Sequence, residues 1–280
     1  MSRSEPGPAA EPGGEEGALF VPDGPQLVPT DLARGPWSPD ALHGGPVAAL
    51  LAGAVEAVPA GEPVHVARLT VELLRPVPVA PLTLAAGVTR PGRKVQVVEA
   101  SLSAAGQDVA WGRALRVRRQ PPGAVPPPST AGPGAAGLPP AGPEHGHGSP
   151  SPIGPYRAFH NTGAELRYVA GSFSEPGPAT VWVRLAVPVV AGQPTSALQR
   201  VAGAADFGNG VSAVLDFGRY LFINPDLTVS LLRPPVGEWV CLDAVTTLGD
   251  PGVALAESRL FDVEGPIGRS VQSLLVEPRL

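Results

Sequence analysis

The octapeptide LTVELLRP at residues 69–76 recurs almost unchanged as LTVSLLRP at residues 227–234. The same offset of 158 residues, kept without a gap, also aligns Glu99 with Glu257 and further identical pairs around them. An ungapped match over more than thirty residues exceeds what shared composition produces. It indicates an internal duplication, so the sequence predicts two halves with the same fold.

Each half shows the same order of patterns. An extended stretch comes first, then an apolar helix, and then β-like runs in which apolar and polar residues alternate. In the first half the helix is expected at about residues 43–58, and in the second half at about residues 196–207. A helix that is apolar nearly all round must be buried, and a curved antiparallel sheet can enclose it. We therefore expect an α+β fold of two fused antiparallel sheets, each wrapped around a central apolar helix.

Two segments rich in Pro, Gly and Ser separate these halves from the N-terminus and from each other. Such composition predicts a disordered tail at residues 1–17 and a linker at residues 120–155. The two folded halves are then residues 18–119 and 156–280. Glu144, His145 and His147 lie in the linker, where we interpret them as solvated side chains, and we expect no metal site.

Composition bounds the class of partner. The chain has 280 residues, 43% of them hydrophobic, and a formal net charge of −5, so nothing favours binding to nucleic acid or to an anionic membrane surface. The most apolar stretch, residues 46–60, is too short to span a bilayer and contains Glu56. Cys241 lies in an alternating apolar run and is interpreted as a core residue. We expect a cytoplasmic protein that binds a small molecule.

Several motifs, in this order, resemble one known family. They are HGG at 43–45 after a tryptophan, LLRP at the end of the long strand of each half, VWVRL at 181–185, ADF at 205–207 and GRSVQ at 268–272. Together they resemble the acyl-CoA thioesterase II group, the TesB-like double-hotdog thioesterases. The resemblance implies a double hotdog that hydrolyses acyl-CoA to free fatty acid and CoA by direct attack of water, without a cofactor. It leaves acyl chain length and homo-oligomerisation open.

In that family the attacking water is held by an aspartate, a threonine or serine, and a glutamine of the second half. The resemblance places these roles on Asp206, Thr228 and Gln272. At the equivalent positions of the first half, Asp206 and Gln272 are replaced by Ala48 and Ala114. A requirement of the fold alone would not place an acid in only one copy, which favours a functional role for Asp206.

Each of the three residues also has an alternative interpretation. Asp206 could cap a helix end, because Phe207-Gly208 follows it directly. Thr228 could be an ordinary strand residue, since its counterpart in the first half is also a threonine, Thr70. Gln272 could face solvent on a late strand.

The HGG motif opens the first helix, and this is where the thioester is expected to bind. Unpaired N–H groups and the positive end of the helix dipole at Gly44 and Gly45 can receive a carbonyl oxygen as it gains charge. The alternatives are that His43 caps the helix and that the glycines allow close helix contact. The second half has no such motif, so we expect one composite site per chain, with His43, Gly44 and Gly45 binding substrate.

Two other functions stay open at this stage. One is a non-catalytic hotdog protein that binds acyl-CoA, and the other is a hotdog enoyl-CoA hydratase or dehydratase. A hydratase needs an acid/base histidine, and none lies in the β-rich part of the second half. A serine hydrolase is disfavoured because the chain lacks a G-x-S-x-G motif.

Overall fold

One large antiparallel sheet and two central helices dominate the computed structural model, which describes residues 17–121, 123–124 and 140–279. The helices are α1 (Gly44–Ala57), α2 (Ala197–Ala205) and the single-turn α3 (Gly208–Val211). The strands are β1 (Phe20–Asp23), β2 (Gln26–Pro29), β3 (Val64–Leu73), β4 (Leu82–Arg90), β5 (Val95–Ala104), β6 (Gln107–Arg118), β7 (Ala164–Ser172), β8 (Glu175–Leu185), β9 (Tyr220–Ile223), β10 (Asp226–Leu231), β11 (Val240–Leu248), β12 (Val253–Asp262) and β13 (Gly265–Pro278).

The strand order shows the internal repeat. It is β1-β2-β4-β5-β6-β3-β10-β13-β12-β11-β8-β7, with β9 paired to β13. The run β4-β5-β6-β3 from the first half is mirrored by β10-β13-β12-β11 from the second. The halves meet where β3 pairs with β10, with Thr70 opposite Thr228. The repeated sequence is therefore also a repeated strand order.

The two central helices pack against each other on the inner face of the sheet. The observed bounds of α1 agree with the predicted helix to within one residue at each end, and nine of its fourteen residues are buried. Gly45 permits the close approach, because a Cβ there would lie 2.7 Å from the carbonyl oxygen of Gly203 on α2. Across the described residues, no helix has the length and apolar character to cross a membrane.

The predicted linker is only partly a linker. Residues 1–16 and 125–139 lie outside the described residues, but residues 140–158 pack on the folded halves. Trp182 Nε1 donates to the carbonyl oxygen of Ala141 at 2.7 Å, and the Tyr156 hydroxyl donates to that of Gly35 at 2.9 Å. A Pro- and Gly-rich composition correctly predicts little regular structure there. It does not predict these anchoring contacts, because they come from distant side chains.

Candidate active site

A mostly apolar cavity of about 380 Å³ opens between the two halves. It lies at the N-terminus of α1, the C-terminal end of α2 with the following α3, and the segment leading into β10. Its titratable lining residues are His43, Arg75, His160 and Asp206. A few polar groups in an otherwise apolar cavity are typical of a small-molecule site.

Asp206 is the buried acid of this cavity, with 4% of its side chain exposed. It follows the last residue of α2, where the helix dipole disfavours a negative charge. Its carboxylate instead lies against the N-terminus of α1: a Cβ on Gly44 would be only 2.7 Å from both oxygens. Oδ1 accepts a hydrogen bond from Asn224 Nδ2 at 2.8 Å. Asp206 is therefore the C-cap residue of α2 by position, while its side chain bonds across the fold.

Gln272 is buried beside Asp206, with 1% of its surface exposed. Its Nε2 donates to the main-chain oxygen of Asp206 at 3.2 Å and reaches Oδ1 at 3.4 Å. Its Oε1 accepts from the Asn209 N–H at 3.0 Å, and Gly208 leaves room for that oxygen. The structure therefore brings Gln272 to Asp206 and excludes the alternative of a solvent-facing side chain.

Thr228 is not brought to this cavity. It lies between Leu227 and Val229, which both belong to the core on the inner face, so its own side chain points to the outer face. It stands opposite Val271 on β13, one residue before the inward-facing Gln272. The assignment of Thr228 to the water-binding set is therefore wrong in this structure, because strand alternation turns its hydroxyl away.

Asn224 occupies the place that Thr228 was expected to fill. It precedes β10, lines the cavity, and its Nδ2 donates both to Asp206 Oδ1 and, at 3.1 Å, to the carbonyl oxygen of Asp226. The sequence carried a signal for this correction. Leu227, Val229 and Leu231 alternate as apolar residues, which already turns Thr228 outward and directs attention to the segment before the strand.

The two glycines of the HGG motif have different roles. Gly44 lines the cavity, and its N–H has no hydrogen-bond partner within the described part of the chain. Gly45 is not part of the lining: its N–H points to His43 Nδ1 at 3.0 Å. The expectation that both glycines face a thioester oxygen is therefore corrected. Gly44 remains the available donor, whereas Gly45 serves helix packing.

His43 is the N-cap of α1 and also contacts the acid. Its Nδ1 lies 2.8 Å from Asp206 Oδ2, and its ring packs against Phe159 and Phe207 with centroids 5.1 and 5.0 Å away. Its Nε2 has no partner among the described residues and is not among the unpaired atoms shielded from solvent. The second ring nitrogen therefore opens onto the cavity. The same nitrogen, Nδ1, thus lies within hydrogen-bond distance of both the Gly45 N–H and Asp206 Oδ2.

His160 connects the folded end of the linker to the same cavity. Its Nε2 bonds the carbonyl oxygen of Ile153 at 3.0 Å, and both residues line the cavity. A carbonyl only accepts, so Nε2 carries the proton. Burial, and then the nearby His43, lower the pKa of His160 to about 4. This histidine is neutral near pH 7 and holds residues 149–156 as a wall of the site.

The opposite end of the helix pair has related contacts but different chemistry. There Glu56 on α1 accepts from Ser196, the N-cap of α2, much as Asp206 meets His43. Arg116 lies beside this contact and donates to the carbonyl oxygens of Val55 and Val58 at the end of α1. Burial raises the pKa of Glu56. A second cavity of about 280 Å³ lies at this end, lined by Glu56 and Arg116 among others, but α2 begins with Ala197 and Leu198 rather than with a glycine pair.

Cys241, the chain's single cysteine, is remote from this chemistry. It is fully buried in a separate cluster with Trp182 and Phe261. Burial raises the pKa of its thiol far above neutrality. It is a packing residue, as the sequence pattern indicates.

Solved structures that resemble this chain identify the class of its fold. A protein of unknown function with a hot dog fold from Alicyclobacillus acidocaldarius matches with a TM-score of 0.64 and 18% identity, over 95% of this chain and 97% of that one. The TesB protein of Mycobacterium avium subsp. paratuberculosis matches with 0.62 and 15%, over 90% and 93%. An acyl-CoA thioesterase II of Mycobacterium marinum matches with 0.58 and 17%, over 84% and 91%. The chain has a hotdog fold.

Family models extend the comparison from fold to family. The acyl-CoA thioesterase N-terminal domain matches residues 33–117, and the acyl-CoA thioesterase C-terminal domain matches residues 135–276. A search of curated protein sequences gives no match. Because the two domain models of one family together account for most of the sequence, the chain belongs to the acyl-CoA thioesterase family and is a TesB-like thioester hydrolase.

Proposed function

We propose that the chain hydrolyses acyl-CoA by direct attack of water on a thioester held in the cavity at the start of α1. One observation carries this proposal: the buried carboxylate of Asp206 lies against Gly44, at the positive end of a helix that belongs to the other half of the chain. An unpaired N–H donor and an acid that can control a proton therefore adjoin the same small volume. Thioester hydrolysis requires both.

Gly44 supplies the electrophilic side of the site. The first three positions of α1 are Gly44, Gly45 and Pro46, of which the proline has no N–H and Gly45 points to His43. The Gly44 N–H is thus left to polarise the carbonyl and to stabilise the oxyanion that forms on attack. The dipole of α1 adds positive potential at the same point.

Asn224 and Gln272 hold the acid. Both donate N–H groups to Asp206, and these bonds fix the direction of its oxygens. No covalent intermediate is required. Among the hydroxyls of the lining, that of Ser151 donates to the carbonyl oxygen of Ile153 and so is not activated by His43 or Asp206.

We also propose that the architecture is a double hotdog with one composite site. Residues 18–119 provide α1 with its free N–H, and residues 156–280 provide the acid and its two amide partners. The mirrored strand order and the Thr70–Thr228 junction support the fused arrangement. The Glu56–Ser196 end has Arg116 and no glycine at the start of α2, and this difference in chemistry supports a single functional site. The apolar lining suits an acyl chain, and CoA is the expected leaving group.

The test is thiol release from a panel of acyl-CoAs of different chain lengths, with wild type, Asp206→Asn and Glu56→Gln compared. We expect release by wild type, a loss of at least about 100-fold in Asp206→Asn, and little change in Glu56→Gln, the matched acid at the other end. Binding without thiol release by wild type would favour the non-catalytic alternative. A spectral change on enoyl-CoA without thiol release would favour a hydratase.

A further inference from the structure

We propose that His43 is the general base of this hydrolysis and that Asp206 is its positioning residue. The proposal rests on the proposed function and assigns the proton transfer within it. Its basis is geometric: the two ring nitrogens of His43 face different partners. Nδ1 lies 2.8 Å from Asp206 Oδ2, and Nε2 opens onto the cavity where a substrate would bind.

The contact with the carboxylate fixes where the proton lies. Nδ1 is within reach of the Gly45 N–H at 3.0 Å and of Asp206 Oδ2 at 2.8 Å, yet it cannot accept from one and donate to the other at once. Two lone pairs facing each other at 2.8 Å would repel, and the bond to an ionised oxygen is the stronger one. A proton on Nδ1 satisfies this contact, and in the neutral ring Nε2 then presents its lone pair to the cavity.

The carboxylate oxygens of Asp206 are already engaged by protein groups and offer little room for a water molecule. Oδ2 is engaged by His43, Oδ1 is engaged by Asn224 and approached by Gln272, and the Gly44 backbone lies against both oxygens. A base must lie within hydrogen-bond reach of the proton it removes. His43 Nε2 meets that requirement, because it is an unpartnered proton acceptor open to the cavity.

The charges around His43 are few. The other titratable residues lining its cavity are Asp206, His160 and Arg75. His160 is neutral near pH 7, because burial lowers its pKa to about 4. Arg75 is exposed at the cavity wall. Asp206 is therefore the close buried acid beside His43, with its Oδ2 2.8 Å from Nδ1.

The step balances as follows. The water oxygen attacks the thioester carbon, its proton moves to His43 Nε2, and the carbonyl electron pair moves to the oxygen beside the Gly44 N–H. When the tetrahedral intermediate collapses, the carbon–sulfur bond breaks and its electron pair leaves on sulfur. The Nε2 proton then passes to the CoA thiolate, which restores neutral His43. The products are a carboxylic acid and free CoA, with no external co-reactant.

His43→Asn separates this role from helix capping. Asparagine is among the best N-cap residues and can accept from the Gly45 N–H, so we expect the unfolding midpoint to change little. It has no titrating nitrogen on the cavity side, so kcat should fall about 100- to 10,000-fold while KM changes little. Added imidazole should restore part of the rate. A His43→Asn enzyme within about threefold of wild type, with the same pH profile, would overturn the proposal.

Asp206→Asn tests the positioning role through the pH profile of its residual activity. Loss of the neighbouring negative charge should move the ascending, acid-side limb of kcat/KM, which reports the general base, to lower pH, an effect that a purely structural role would not produce. NMR of the imidazole nitrogens in wild type decides the tautomer independently of turnover. A proton on Nδ1 is expected, and a neutral ring with its proton on Nε2 would refute the assignment. Absence of thiol release by wild type would instead count against the proposed function.

Discussion

The hydroxyls of Thr70 and Thr228 meet at 3.2 Å on the outer face of the sheet, at the junction of the two halves. The two residues occupy equivalent positions in the repeat and face each other across the β3–β10 pair. Local symmetry places each opposite its own counterpart. This explains why both copies carry a threonine without assigning either one to the active site.

Thr228→Val should leave activity unchanged, and Asn224→Ala should not. The first change removes one half-buried hydroxyl contact remote from the cavity, so kcat/KM should stay within about twofold. The second removes the 2.8 Å donor to Asp206 and should lower kcat/KM about 10- to 100-fold, as expected for a hydrogen bond to a charged group. Thiol-release kinetics of the two variants measure this difference. Equal losses of kcat/KM would show that Thr228 contributes to the site as much as Asn224 does.

Gly44→Ala should impair catalysis, whereas Gly53→Ala on the same helix should not. A Cβ at Gly44 would lie 2.7 Å from both Asp206 oxygens, so the carboxylate must move. A displacement of that kind should cost about 100-fold in kcat/KM. At Gly53 the added Cβ would meet the amide of Gln199, whose Oε1 caps the Ser196 N–H, so the cost falls on the start of α2 and on stability rather than on the site. An active Gly44→Ala enzyme would contradict the close approach.

His160 should make stability depend on pH in a defined window. Its folded pKa, about 4, lies below the ordinary 6.5, so the unfolded chain binds the extra proton between these values. This contribution to stability is present above pH 6.5 and is lost as pH falls towards 4. The difference is on the order of 3 kcal/mol. His160→Gln can still donate to Ile153 but does not titrate.

Urea unfolding at several pH values, with wild type and His160→Gln side by side, measures this contribution. Other carboxylates titrate in both proteins, so the difference between the two curves isolates the histidine. We expect the wild-type free energy of unfolding to fall more steeply below pH 6.5 than that of the variant. Parallel curves would show that His160 is not held neutral by its surroundings.

Asp262→Asn should destabilise the fold without affecting the site. Burial alone would raise the pKa of Asp262, but hydrogen bonds from Arg233 and from the N–H groups of Val236 and Glu264 lower it below its usual value. Removing the charge should cost about 2–3 kcal/mol near neutral pH. Because a lowered acid pKa stabilises only above its ordinary value, the difference from wild type should shrink below about pH 4. Thermal unfolding across pH checks both claims.

Much of the fold could be predicted from local pattern. The repeat at LTVELLRP, the alternating strands and the wholly apolar helix at residues 44–57 each reflect a short-range periodicity, and the structure has them close to the expected bounds. Asp206 could also be singled out, because the first copy has Ala48 at the same place.

The sequence by itself determined the internal repeat, the burial of its helices and the asymmetry that marks one acid. Only the tertiary structure decided which polar groups meet that acid: Asn224 rather than Thr228, and His43 from the other half. The physical reason is that periodicity is local, whereas these contacts depend on how two antiparallel helices pack side by side, with the start of each beside the end of the other. The N-terminus of α1 reaches Asp206 because glycines let the helices approach, and no pattern within either half specifies that distance.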